Sequence, residues 1–145
     1  MLIVAEPYRR LFDTLGLNSF ERVVAHFLTA PVSSRDRVVV KPHVLTAPGH
    51  PSVDTFFKQY RYQPPAWSFI GRRSKARCEF ENYQVFARLQ IPAAEAIAAG
   101  ESRDALGRLR SAMIVTRTIP GASTLVEFMQ GPARDRSLPE VRAAR

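Results

Sequence analysis

At 145 residues, with 46% hydrophobic and 23% charged side chains, the chain has the make-up of one globular domain large enough for a real core. No apolar run approaches the ~20 residues a membrane span needs, and Met1-Leu2-Ile3-Val4-Ala5 is closed at once by Glu6-Pro7, which argues against a span or signal peptide and for a cytoplasmic setting. The formal charge of +8, with nine basic residues against Asp36 and Asp54 over residues 35–77, favours a polyanionic partner or else a solvated Arg-rich surface, and the single Cys78 excludes an internal disulfide.

Residues 8–27 place Leu11, Phe12, Leu15, Leu17, Phe20, Val23, Val24 and Phe27 at mixed spacing, which predicts a short helix before Gly16 and a helix or the lead-in to a strand after it. Arg37-Val38-Val39-Val40-Lys41 is β-branched and bounded by Ser33-Ser34-Arg35-Asp36 and by Pro42, so it reads as a strand. Ala47-Pro48-Gly49-His50-Pro51 interrupts, and residues 53–60 resume an extended run, giving two antiparallel strands. Residues 61–71, with Pro64-Pro65 and Trp67, read as an irregular connection. Ser74 then caps a helix running to about residue 90, stopped by Pro92. Residues 96–100 and 111–119 form a second strand pair across a polar turn containing Gly107, Pro120-Gly121 turns the chain, and Ser123 caps a short helix over residues 124–129. The division expected is an extension over residues 1–36, a lobe over 37–130 and a flexible basic tail over 131–145.

The sharpest local feature is Lys58 inside the strand-forming run Val53-Asp54-Thr55-Phe56-Phe57-Lys58-Gln59-Tyr60. Side chains alternate along a strand, so Lys58 shares a face with Phe56 and Tyr60, where an ammonium must reach water or meet an anion. On the following helix Ala76, Glu79, Tyr83 and Phe86 recur at three and four residues and form one face. Glu79 is the natural partner for Lys58, with Glu81 the competitor and two solvated glutamates the alternative, because a strand lysine and a helix glutamate about 20 residues apart match the ion pair that positions nucleotide phosphates in protein kinases. Arg61, Tyr62, Trp67, Arg72 and Arg73 interleave basic and aromatic side chains, but no nucleic-acid motif frames them, so nucleic acid is the disfavoured partner. His26, His43 and His50 lack the spacing and the carboxylate company of a metal site.

The ordered motifs Phe57-Lys58-Gln59-Tyr60, Ser74-Lys75-Ala76-Arg77-Cys78-Glu79, Leu89-Gln90-Ile91-Pro92, Gly100-Glu101 and Val115-Thr116-Arg117-Thr118-Ile119-Pro120-Gly121 with Thr124-Leu125 resemble the small lobe of the lipopolysaccharide kinase family, which includes the Kdo and heptose kinases. The resemblance implies an α+β, protein-kinase-like N-lobe, a twisted antiparallel sheet with one main helix. It implies that Lys58 contacts the α- and β-phosphates of ATP, that Glu79 holds Lys58, and that Thr116, Arg117, Thr118 and Ile119 are the hinge beside the adenine. The activity implied is ATP-dependent phosphorylation of a lipopolysaccharide core sugar.

Phe56 departs from the small residue expected against the adenine, and no G-x-G-x-x-G precedes Lys58, so any phosphate-covering loop would be Pro48-Gly49-His50. No D-F-G triplet follows, and Arg134-Asp135 comes only a few residues past the expected short helix, leaving no room for the large-lobe helix that precedes a catalytic loop. The reading is therefore a nucleotide-positioning lobe, truncated and inactive alone, needing Mg²⁺ only with a second lobe that is missing or a separate polypeptide. Anionic glycolipid at the inner membrane surface is a further partner, with peripheral association there. The alternative is a non-catalytic module that binds an anionic membrane surface, glycolipid or nucleic acid.

Overall fold

The computed structural model describes residues 1–29 and 37–121. Its strands are β1 (Leu2–Val4), β2 (Val38–Leu45), β3 (Val53–Ala66), β4 (Ala96–Arg103) and β5 (Leu109–Arg117), and its helices α1 (Arg9–Thr14), α2 (Phe20–Phe27) and α3 (Lys75–Arg88). All strand pairs are antiparallel and lie in the order β1-β4-β5-β3-β2. The α+β class expected from the sequence is the one found. The short helix expected over residues 124–129 and the tail lie outside the described residues.

Strand alternation sorts the core into two layers. On the back face Leu45, Phe57, Ile97, Ala98, Met113 and Val115 pack against Phe12, Phe20, Val23 and Phe27 of α1 and α2. Phe27 stacks on Phe57 with ring centroids 4.9 Å apart and planes 10° from parallel. Ser19 starts α2 by accepting a hydrogen bond from the Arg22 N–H at 3.2 Å, which settles the helix-or-strand alternative after Gly16 in favour of a helix. Gly100 lets this layer approach: a Cβ there would stand 2.9 Å from Met113 Cε and 3.0 Å from Phe20 Cδ2.

On the front face Tyr60, Ala96, Ala99, Ala112 and Ile114 pack against Ala76 and Phe80 of α3. Ser74 caps α3 as expected, accepting from the Arg77 N–H at 3.2 Å, and is fully buried. The helix face itself needs correction. Phe80 enters the core, whereas Phe86 remains exposed, because at 100° per residue Phe86 lies about 80° round the axis from Ala76. Glu79 sits on that same flank, which is the side facing β3.

Strand boundaries also differ from expectation, with β4 running on to Arg103 and β5 spanning Leu109–Arg117. β2 runs through Pro42 to Leu45, which a proline permits on an edge strand, where one row of backbone groups has no neighbour. β3 runs through Pro64-Pro65 to Ala66, beyond the point where β2 starts at Val38 opposite Tyr60, and its register with β5 shifts between Arg61 and Ala66. β1 was not foreseen: Leu2, Ile3 and Val4 pair with Gly100, Ala99 and Ala98.

Candidate functional site

α3 covers the β4–β5 half of the front face and leaves the β2–β3 half open. Val40, Pro42 and Val44 on β2 stand opposite Lys58, Phe56 and Asp54 on β3, so these pairs share that open face. Val38, Val40, Val44 and Phe56 are all exposed, Val40 to 53%. The result is an apolar shelf, two strands wide, that ends at the flank of α3.

Lys58 and Glu79 meet at that border. The Lys58 Nζ donates to Glu79 Oε1 at 3.2 Å and to Oε2 at 3.3 Å, with each side chain about one-third exposed. Tyr60, two residues along β3 and on the same face, donates its hydroxyl to Glu79 Oε1, and its ring lies under Lys58 Nζ at 4.8 Å. Burial works against the Lys58 ammonium, but hydrogen bonding with Tyr60 and Glu79 and the Glu79 charge outweigh it and hold its pKa above the ordinary lysine value. Burial and then the bond to Glu79 raise the Tyr60 phenol, which keeps it a donor. The choice between Glu79 and Glu81 is resolved, because Glu81 is taken by Arg73 and by Arg77, whose Nε lies 3.1 Å from it. Tyr60 is the member that sequence reasoning missed. Its position two residues from Lys58 was the available signal.

The remaining predicted site residues follow the ladder toward the other end of the sheet. Thr116 stands opposite Phe56 and therefore on the front face. Arg117, opposite Thr55, falls on the other face, where it pairs with Glu95 at 3.4 Å. Tyr8 lies in the same neighbourhood, its hydroxyl pushed up to about 12 by burial and by Glu95. The N–H groups of Arg117 and Thr118 are spent on Glu95 O and Asp54 O, each at 2.8 Å. Neither of these two N–H groups is left to meet a ligand at this edge. Ala93, Glu95, Arg117, Thr118, Ile119 and Pro120 line an open groove of about 370 Å³ here.

Pro48-Gly49-His50 is corrected as a phosphate cover. Gly49, with φ of 76°, makes the β2–β3 turn beyond the Leu45–Val53 pair, five residues along β3 from Lys58, or about 17 Å at 3.4 Å per residue. His50 there approaches Thr14 of α1 instead. Among the described residues no group of three His, Cys, Asp or Glu side chains is placed to hold a metal ion. No helix among them is long and apolar enough to cross a membrane.

No curated protein and no solved structure matches the chain. The family model for the lipopolysaccharide kinase (Kdo/WaaP) family matches residues 63–144, beginning five residues beyond Lys58. Because that match spans more than half of the sequence and runs through the helix that carries Glu79 and the two strands it packs on, the chain belongs to the lipopolysaccharide kinase (Kdo/WaaP) family.

Proposed function

We propose that the open front face is the nucleotide-positioning half of an ATP-dependent kinase site whose acceptor is a sugar of the lipopolysaccharide core. The observation that carries this reading is the Lys58–Glu79 pair, bridging β3 and α3 at the rim of an apolar shelf, in a chain of this family. Lys58 offers its ammonium to the α- and β-phosphates, and Glu79 keeps it from folding back. The adenine lies on the shelf, against Val40 and Phe56, with its edge toward Thr116 and the backbone beyond Thr118. Phe56 takes the place of a smaller residue there and makes the shelf shallow, so the base stacks on its ring rather than slipping beneath it.

Phosphoryl transfer also requires a group to accept the hydroxyl proton and ligands for Mg²⁺. In this reading they come from a second lobe that closes over the shelf, and the residues described here bind and orient the nucleotide without transferring phosphate alone. An open half-site of this kind is what a two-lobed clamp presents before it closes.

A thermal-shift titration with ATP tests the reading on the wild type and on Lys58→Met. A ligand that binds only the folded chain adds roughly 2.7 kcal/mol at 100 times its Kd. Stabilisation of the wild type that is lost in Lys58→Met supports the proposal, and equal stabilisation of both proteins, or of neither, contradicts it.

A further inference from the structure

At the end of the sheet away from Thr118, two loops are bound to each other in one tip. Arg103, paired with Glu101, donates to Phe69 O at 2.8 Å, to Gly107 O at 3.0 Å and to Arg72 O at 2.7 Å, tying the β3–α3 connection to the β4–β5 turn. Within that turn the Asp104 carboxylate takes the N–H of Leu106 at 3.0 Å and of Arg108 at 2.9 Å, and Arg108 Nε at 2.6 Å. The Arg108 guanidinium in turn lies 4.8 Å from the centre of the Trp67 ring.

This ordered scaffold turns apolar side chains outward. Trp67 is 62% exposed, Leu106 61% and Ile70 45%. Large hydrophobic residues exposed on two loops that are tied to each other mark a surface suited to meet a partner. Of the six basic side chains in residues 67–75 and 103–110, Arg103, Arg108 and Arg73 pair with Glu101, Asp104 and Glu81, and Arg72, Lys75 and Arg110 are exposed.

We propose that this tip docks on a bilayer surface of anionic phospholipid. Trp67, Leu106 and Ile70 enter the headgroup layer, and Arg72, Lys75 and Arg110 meet the lipid phosphates. An indole with one wet and one apolar side suits the bilayer interface, and basic residues beside it are drawn to a negative leaflet within a Debye length. Nucleic acid fits the tip less well, since Ile70 and Leu106 offer aliphatic points where bases need flat faces for stacking. The proposal is independent of the nucleotide reading. β5 runs from Leu109 at the tip to Arg117 at the opposite edge, so docking here leaves the shelf free.

Trp67 is the only tryptophan in the chain, so its emission reports the tip directly. The full chain is titrated with vesicles of mixed phosphatidylglycerol and phosphatidylcholine, with phosphatidylcholine vesicles, and with single-stranded RNA. A blue shift and co-sedimentation are expected with the anionic vesicles, at least tenfold weaker without phosphatidylglycerol or at high salt. Ile70→Ser combined with Leu106→Ser, both exposed and therefore compatible with an unchanged melting temperature, should weaken binding about tenfold. Arg72→Gln combined with Arg110→Gln should weaken it several-fold and flatten the salt dependence. Unshifted emission with anionic vesicles overturns the proposal, even if the protein sediments with them. So does an emission change with RNA alone.

Discussion

The two faces of the sheet are made from the same strands and have opposite fates. On β3 the alternate residues Phe57 and Gln59 are buried on the back, whereas Phe56 and Lys58 on the front keep contact with solvent. Behind the sheet, α1 and α2 seal the layer with four large side chains, Phe12, Phe20, Val23 and Phe27. In front, α3 seals only the β4–β5 half, and what remains is a ledge with a charged pair at its rim. The back therefore holds the fold together and the front is left available. A single strand serves both because its side chains alternate.

The largest expected effect tests that division directly. Phe57→Ala should cost about 3–5 kcal/mol of stability in a urea melt, the usual loss for a buried phenylalanine. Its neighbour Phe56→Ala should cost under about 1 kcal/mol. Similar losses at the two positions would break the comparison. Gly100→Ala comes next: the added methyl meets Met113 and Phe20, and overpacking of this sort should cost about 1–3 kcal/mol by the same melt.

On the front the order reverses, with little stability at stake and function expected to respond. Glu79→Gln should change stability by under about 1 kcal/mol, as for other partly exposed pairs. It should also weaken ATP binding about tenfold when measured by calorimetry. The Lys58 ammonium has a raised pKa, so the pair's contribution is complete below the ordinary lysine value near 10.5 and is lost only as pH climbs through the folded value. Binding that depends on this pair should be flat across neutral pH.

The smallest effect sharpens the back-face picture. His26 on α2 and His43 on β2 bring their Nε2 atoms to 3.2 Å. Burial and then the neighbouring His43 lower the His26 pKa below 6.5, so the unfolded chain takes up the proton more readily. Stability is thus complete above about pH 6.5 and falls as pH drops through that value. His26→Gln should remove part of the acid slope seen in melting temperature, and an unchanged slope would mean that α2 does not press on β2 through this pair.

Much of this was legible in the sequence where the signal is local. Ser74 before an apolar helix, the β-branched run at Val38-Val39-Val40, and a lysine and a glutamate 21 residues apart each announce themselves within one element or between consecutive ones. What escaped depends on partners far along the chain. Leu2, Ile3 and Val4 are too few to show a period, and they become a strand only because β4 presents a free edge. Pro42 and Pro64-Pro65 look like breakers until β2 is known to be an edge and β3 to outrun it. Tyr60 was visible as part of a motif, but its bond to Glu79 depends on how α3 is rotated against the sheet.

The most direct test of the central division is an amide chemical-shift map of ATP binding. The account predicts changes along Val40, Phe56, Lys58 and Glu79, small or absent at Phe20, Phe27 and Met113, and lost in Lys58→Met. Changes centred on the helices behind the sheet, or a front-face pattern that survives Lys58→Met, would contradict it.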